Sequence, residues 1–200
     1  QIFAIDIGSS SIKGVVAVAS SEEGRIKIIA FSQVSTAGMR RGEIVDSAQV
    51  AKNLRFLAEG IKSSLSSPLQ YASVNIGGDH VGVVQSRGVV TVSRADQMIS
   101  EYDVERVIAS SQAVPLPLNR EIVHIIPREF IVDGEGKIKN AVGLNGVRLE
   151  RDALVVYAFS PHIKAVLRTL SEAGLDASGT VISGLAGASA AYASAIALWA

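Results

Sequence analysis

Residues 1–19 read QIFAIDIGSSSIKGVVAVA, two runs of mainly apolar residues separated by a short turn of glycine and serine. The apolar runs are residues 1–7 and 12–19, and each has the length and composition of a β-strand. Glycine and serine are residues that form tight turns. Two strands joined by so short a turn must be antiparallel neighbours. This stretch therefore predicts a β-hairpin.

The pattern that follows the hairpin is typical of an α/β domain. A third strand is predicted over 25–34 and a fourth over 71–77, with a loop at 35–45 and a helix between them. Asp46 and Gln49 form a plausible N-cap and N3 pair for that helix. Its apolar face recurs at helical spacing: Val50, Leu54, Leu57, Ile61 and Leu65.

The middle of the chain has a different pattern. Strands are predicted over 82–93, 121–132 and 148–159, with a helix over 103–114 after the first of them. Pro127 cannot donate a hydrogen bond to a neighbouring strand, so its strand is expected at a sheet edge or with a bulge. The order strand, helix, strand, strand indicates a small α+β module.

The last part of the chain returns to the α/β pattern. Ser160 and Pro161 predict the N-cap and first position of a helix, and a short strand is predicted over 180–182. Residues 177–200 contain no charged residue. They are dominated by alanine, glycine and serine, so a buried strand and helix is favoured over a membrane span.

The composition excludes several classes of protein. The 200 residues include 48% hydrophobic and 19% charged residues, which is ordinary for a globular chain. The formal net charge is zero, so we expect no nucleic-acid partner. The absence of cysteine excludes disulfides, thiolate metal sites and cysteine nucleophiles. Three histidines, His80, His124 and His162, have no metal-ligand spacing.

The turn of the first hairpin offers three features that suit a bound phosphate. Asp6 ends the first strand, the residues after it can present backbone N–H groups to an anion, and Lys13 adds a positive charge. A carboxylate beside a phosphate also suits hydrated Mg²⁺. A plain hairpin with a serine-rich turn has the same pattern, so both interpretations remain open on these residues alone.

Several stretches together resemble the FtsA family of bacterial cell-division proteins. IDIGSSSIKG resembles the first phosphate motif of the actin-like ATPase superfamily, to which that family belongs. The resemblance to the family extends along essentially all 200 residues. The stretches that carry it are AGMRRGEIVD, SVNIGGDHVGVVQSRGVVTVS, DVERVIASSQAV, REIVHIIPREFIVDG and KNAVGLNGVRLERDALVV.

The resemblance implies an α/β fold, an actin-like (ribonuclease H-like) half-domain with an inserted α+β strand-helix-strand-strand module. Subdomain 1A would comprise 1–79 and 160–200, and the inserted subdomain 1C, of the SHS2 type, 80–159. ATP and Mg²⁺ are the implied cofactors. Asp6 would hold Mg²⁺ through water. The ATP phosphates would contact Gly8, Ser9, Ser10 and Lys13.

The resemblance also implies partners and a location. The family links the tubulin-like FtsZ ring to the cytoplasmic face of the cell membrane at the division site, recruits later division proteins, and self-associates through subdomain 1C. Its membrane-binding C-terminal helix, its FtsZ-binding subdomain and its remaining nucleotide motifs belong to a second half that this sequence does not include. We therefore expect the chain to be the N-terminal part of a longer protein.

Ser183 occupies the position where many relatives carry a glutamate or glutamine that orients the attacking water. Serine is a poor substitute for a carboxylate in that role, so ATP binding is expected with weak or no hydrolysis. Two alternatives within the superfamily remain. One is an actin-like type IV pilus assembly protein. The other is a sugar or metabolite kinase, whose catalytic aspartate would have to be Asp79 or Asp133, at or inside the insertion.

Overall fold

The computed structural model describes residues 1–19, 26–63, 65 and 68–199, the last eight of these by their backbone alone. The elements in chain order are β1 Ile2–Ile7, β2 Ser11–Ala19, β3 Ile26–Ser35, β4 Met39–Arg40, β5 Glu43–Ile44, α1 Ser47–Lys62, β6 Tyr71–Ile76, β7 Val81–Thr91, α2 Glu101–Gln112, β8 Arg120–Val132, β9 Glu135–Ile138, β10 Arg148–Phe159, α3 Ser160–Glu172, β11 Asp176–Ile182 and α4 Ser183–Trp199. They form two units, one of Gln1–Val81 with Ala158–Ala200 and one of Gly82–Tyr157.

The first unit is built on a five-stranded sheet in the order β11-β6-β1-β2-β3. The predicted hairpin is confirmed, because β1 and β2 are antiparallel with Ile7 opposite Ile12. In contrast, β6 runs parallel to β1, and β11 runs parallel to β6. The carboxyl ends of these three strands therefore meet at one edge of the sheet, where ligands commonly bind in α/β folds.

Helix α1 packs on the face of this sheet that carries Ile12 and Val16, both fully buried. Gly14 lies between them, and a Cβ there would come within 2.7 Å of Cδ1 of Ile61 on α1. Glycine therefore lets the helix approach the strand closely. The alternation of β2 places Lys13 on the opposite face.

The predicted start of α1 is confirmed. Asp46 is the N-cap, and its Oδ1 accepts a hydrogen bond of 3.0 Å from the backbone N–H of Gln49. The helix ends at Lys62, so the prediction that Leu65 lies on its apolar face was wrong. The predicted loop at 35–45 instead contains the short hairpin of β4 and β5.

Helix α3 begins one residue earlier than the sequence predicted. Its N-cap is Phe159, which makes no side-chain capping hydrogen bond, and Ser160 is already helical. Pro161 lies within the first two helical positions, where the absence of an N–H costs nothing. β11 is also longer than predicted, because it pairs with β6 from Asp176 onward.

The second unit has a four-stranded sheet in the order β7-β10-β8-β9 and the helix α2. The core contains Val90, Ile99, Val107, Val132 and Leu149. α2 begins at Glu101, earlier than predicted. Its start is stabilised by a capping box between Ser100 and Asp103, in which each side chain bonds the other residue's backbone N–H.

The strand that contains Pro127 was predicted to lie at a sheet edge or to carry a bulge. The edge position is wrong for the strand as a whole, whereas a register shift between Phe130 and Val132 agrees with the bulge. β8 has β10 on one side and β9 on the other. However, the register of β9 pairs it with Phe130 and Val132, beyond the proline, and shifts between these two residues. Pro127 therefore does not have to donate a hydrogen bond to β9.

No helix in the described part of the chain has the length and apolar character of a membrane span.

Candidate functional site

The turn between β1 and β2 forms the first part of the site. The backbone N–H of Gly8 donates a hydrogen bond of 3.1 Å to the carbonyl of Ser11. A Cβ on Gly8 would lie 2.9 Å from that carbonyl oxygen, so the turn requires glycine. Ser9 and Ser10 are exposed. The hydroxyl of Ser9 accepts a hydrogen bond of 2.9 Å from the N–H of Gly42, which ties the turn to the β4–β5 hairpin.

Asp6 and Lys13 flank this turn as a cross-strand pair. They lie directly opposite each other in the register of β1 and β2. The ammonium Nζ of Lys13 is 3.5 Å from Oδ2 of Asp6, and both side chains are about half exposed. All five residues predicted from the first motif therefore lie together, with the two charges on one side of an exposed turn.

Asn75, at the end of β6, is a site residue that the sequence reasoning missed. Its side-chain amide donates a hydrogen bond of 2.8 Å to Oδ1 of Asp6 and one of 3.1 Å to Oγ of Ser183. Its Oδ1 accepts a bond of 2.7 Å from the N–H of Ile7. Asn75 therefore joins the ends of three strands. The alternation in YASVNI does place a polar residue on the face away from the core, but the pairing of β6 with β1 is not visible in the sequence.

Ser183 begins α4 directly after β11. Its hydroxyl donates a hydrogen bond of 3.3 Å to the carbonyl of Ile76 while it accepts the bond from Asn75. A Cβ on Gly77 would lie 2.7 Å from Oγ of Ser183, so this close contact requires glycine. Ser183, which was expected at the water-orienting position, thus lies at the same edge of the sheet as Asp6.

A cleft of about 190 Å³ opens at this edge, and its lining includes Asp6, Gly8, Asn75 and Ser183. A larger groove of about 530 Å³ lies along the sheet face that carries Lys13, and shares Asp6, Asn75 and Ser183 with the cleft. Pockets for small ligands are about 300–1,000 Å³. The cleft alone is smaller than this range, so a whole nucleotide would need further surface.

Two of the histidines are brought together beside the cleft. The rings of His80 and His162 have their centres 4.9 Å apart, and Nε2 of His80 donates a hydrogen bond of 2.7 Å to Oε1 of Glu43. His162 is buried and lines the cleft. Burial lowers the pKa of His162, His80 lowers it further, and Glu43 opposes the shift. Because the two residues are far apart in the sequence, the sequence did not predict this pair. His124 lies on β8, in the second unit.

The chemistry of the site favours a phosphate with hydrated Mg²⁺ over a metal held by the protein alone. Within the described part of the chain, no three or more histidine, aspartate or glutamate side chains are grouped as metal ligands. Mg²⁺ is usually bound by one or two carboxylates together with phosphates and water. Asp6 would supply one carboxylate, and the turn and Lys13 would supply groups that suit a phosphate. The residues present therefore fit a Mg²⁺–phosphate ligand.

The second unit matches a known protein domain. Residues 78–157 match a family model described as the SHS2 domain inserted in FtsA. The match includes the whole of the unit Gly82–Tyr157.

Curated relatives are similar along nearly the whole chain. Cell division protein FtsA of Borreliella burgdorferi is 31% identical over 185 residues, which is 92% of this chain and 45% of that protein. FtsA of Bacillus subtilis is 31% identical over 94% of the chain and 42% of its own length. FtsA of Streptococcus pneumoniae is 33% identical over 91% and 39%. The chain thus spans less than half the length of these relatives.

A solved structure supports the fold independently. The PilM–PilN type IV pilus biogenesis complex contains a chain that matches 94% of this one, with a TM-score of 0.62 and 16% sequence identity, over 48% of its own length. Together with the inserted SHS2 domain, this likeness establishes an actin-like α/β fold that carries an α+β insertion. The chain thus contains the SHS2 domain that is inserted in FtsA, and it is similar in sequence to FtsA cell division proteins along nearly its whole length.

Proposed function

We propose that this chain supplies the phosphate-binding half of an ATP and Mg²⁺ site in an actin-like cell-division protein. The observation that carries the proposal is the turn of Gly8, Ser9 and Ser10 between the paired charges of Asp6 and Lys13. The turn lies where the parallel strands β1, β6 and β11 end, and the carboxyl ends of strands are the usual ligand position in α/β sheets.

Each residue of the turn has a distinct role in this proposal. The exposed turn of Gly8, Ser9 and Ser10 presents its backbone and hydroxyl groups to the phosphates. Lys13 neutralises phosphate charge, and Asp6 holds hydrated Mg²⁺. Mg²⁺ held at Asp6 would supply positive charge to the phosphates. The hydroxyl of Ser183 already bonds Asn75 and the carbonyl of Ile76, so we expect slow hydrolysis.

Isothermal titration of the full-length protein with ATP and Mg²⁺ tests this proposal. A hydrogen bond to a charged group contributes about 1.5–3 kcal/mol, so Lys13→Ala should weaken ATP binding by about 10- to 100-fold. The matched control is Lys27→Ala, which removes an exposed lysine from β3 and should leave the affinity unchanged. Equal affinity of the wild type and Lys13→Ala would overturn the phosphate assignment. Rapid ATP turnover by the wild type would overturn the role given to Ser183.

The whole protein, on this proposal, is a scaffold that links FtsZ to the cytoplasmic face of the cell membrane at the division site and recruits later division proteins. Similarity to FtsA proteins of three bacteria supports it. Flotation of the full-length protein with lipid vesicles and FtsZ polymers is the test. We expect FtsZ to float with the vesicles only when the protein is present. FtsZ that stays in the pellet in both cases would contradict the proposal.

Self-association through the second unit, subdomain 1C, is part of the same proposal. Arg128 is exposed on β8, and Arg128→Glu reverses a charge without altering the core. We expect it to reduce sedimentation of filaments of the full-length protein. Lys139→Glu, an exposed charge reversal elsewhere in the unit, is the matched control. Unchanged sedimentation of folded Arg128→Glu would exclude this surface as a contact.

A type IV pilus assembly protein is the second candidate, and the fold of the PilM–PilN chain favours it. That likeness has 16% identity, whereas the FtsA relatives reach 33%, so the cell-division proposal is preferred. A kinase role for Asp133 has little support. Its carboxylate accepts hydrogen bonds of 2.8–3.1 Å from the N–H groups of Val147 and Arg148 and stabilises a loop of the second unit.

A further inference from the structure

We propose that Asn75 is a positioning residue that holds the carboxylate of Asp6 in the orientation required for hydrated Mg²⁺. The inference rests on the proposed Mg²⁺–ATP site, and it adds a residue that lies 69 positions from Asp6 in the sequence. Its basis is the set of hydrogen bonds around the Asn75 amide.

The orientation of the Asn75 amide is determined by its neighbours. The side-chain oxygen accepts from the N–H of Ile7 at 2.7 Å, and that N–H can only donate. The nitrogen must therefore be the atom that lies 2.8 Å from Oδ1 of Asp6. A flipped amide would place an oxygen against the carboxylate and a nitrogen against the N–H. The amide nitrogen donates to Oδ1 of Asp6 at 2.8 Å and to Oγ of Ser183 at 3.1 Å, and the carbonyl of Ile7 is a more distant acceptor at 3.4 Å.

The hydrogen bond from Asn75 restricts the orientation of the Asp6 carboxylate more than the ion pair with Lys13 does. Its side chain is about half exposed, and its contact with Lys13 is a single exposed ion pair at 3.5 Å. Exposed ion pairs contribute little and orient poorly. The bond from Asn75 holds Oδ1 and leaves Oδ2 on the side of Lys13. A carboxylate that is already oriented does not have to be ordered when the metal binds.

Residues that orient a metal-binding carboxylate typically change metal affinity by about 10- to 100-fold when they are replaced. Asn75→Ala in the full-length protein should therefore raise the Mg²⁺ concentration needed for tight ATP binding by about 10-fold. ATP affinity without Mg²⁺ should change by less than about 2-fold, because Asn75 is not a phosphate ligand here. In an Asp6→Ala background, Asn75→Ala should have no further effect, since the two residues act through one interaction.

Isothermal titration with ATP over a series of Mg²⁺ concentrations measures all of these quantities. Ser73→Ala is the matched control, because Ser73 lies on the same strand and face and contacts Ser178 rather than Asp6. If Asp6→Ala loses the Mg²⁺ dependence and Asn75→Ala keeps it, the inference is wrong and the proposed function stands. If the wild type shows no Mg²⁺-dependent ATP binding, the proposed function fails and the inference fails with it.

A second variant covers the case in which Asn75→Ala does not fold. Asn75→Ser keeps a polar side chain at this position but is too short to reach both the N–H of Ile7 and Oδ1 of Asp6. At constant pH it should raise the Mg²⁺ concentration needed for tight ATP binding by about 10-fold, as Asn75→Ala does. A wild-type Mg²⁺ requirement in folded Asn75→Ser would overturn the inference.

Discussion

Asp6 and Lys13 face each other across β1 and β2, with 3.5 Å between Oδ2 and Nζ. The hairpin register, and not the turn, sets this distance, because the two residues are direct partners in the ladder. Both side chains are about half exposed, so the pair contributes at most about 1 kcal/mol to stability. The two charges can therefore serve a ligand at little cost to the fold.

Asp6→Ala is expected to make ATP binding by the full-length protein less dependent on Mg²⁺. In its proposed role, the carboxylate holds the hydrated metal, and without the metal it would repel the phosphates. ATP affinity in the absence of Mg²⁺ should therefore be unchanged or higher. Titrations with and without Mg²⁺ measure both values, and thermal unfolding should shift little. A wild-type degree of Mg²⁺ dependence in the variant would refute the role of Asp6.

Acid should destabilise the first unit through His162. Its pKa is lowered in the folded protein, mainly by burial and then by His80. The unfolded chain therefore takes up a proton more readily, and the free energy of unfolding falls as the pH drops below about 6.5. Above that pH the effect is absent. His162→Gln should reduce this slope in urea unfolding experiments from about pH 7 to 5.5. An equal slope in both proteins would contradict the assignment.

Gly88→Ala should destabilise the second unit by about 1–3 kcal/mol or more. A Cβ on Gly88 would lie 2.4 Å from the carbonyl oxygen of Val107 and 2.5 Å from the backbone nitrogen of Ser111. These are backbone atoms of α2, so the helix would have to move away from the sheet. Gly136→Ala is the control, because the nearest atom to its Cβ would be 3.6 Å away. Chemical denaturation should separate the two variants, and equal midpoints would disprove close packing at Gly88.

Residues 80–159 should fold when expressed alone. Their sheet and α2 enclose a core of their own, with Ile99, Val107 and Leu149 fully buried or nearly so. We expect well-dispersed amide signals in an NMR spectrum of the fragment. A collapsed spectrum would show that the second unit depends on the rest of the chain.

Local patterns in the sequence predicted the parts of the fold that depend on near neighbours. The hairpin follows from apolar runs around a glycine–serine turn, and the start of α1 follows from Asp46 and its bond to Gln49. The start of α2 was misplaced, although Ser100 and Asp103 have the spacing of a capping box. A capping box usually has glutamate or glutamine at N3, so the aspartate at this position was not recognised as part of one.

The remainder of the site depends on strands that are distant in the sequence. Asn75 reaches Asp6 because β6 pairs with β1, and Ser183 reaches Asn75 because β11 pairs with β6. His80 and His162 are likewise brought together by the fold, although they are distant in the sequence. Parallel pairing is not encoded in the local pattern of any one strand. The charges of the motif were therefore visible in the sequence, while the amide that orients one of them was not.

A crystal structure of the full-length protein with ATP and Mg²⁺ tests the central claim most directly. The distances to measure run from the phosphate oxygens to Nζ of Lys13 and to the backbone nitrogens of Ser9 and Ser10, since the N–H of Gly8 already bonds the carbonyl of Ser11. We predict hydrogen-bond distances of about 2.7–3.2 Å for them, with Mg²⁺ linked to Asp6 through water. Phosphates bound away from this turn, with Asp6 and Lys13 still paired to each other, would contradict the account.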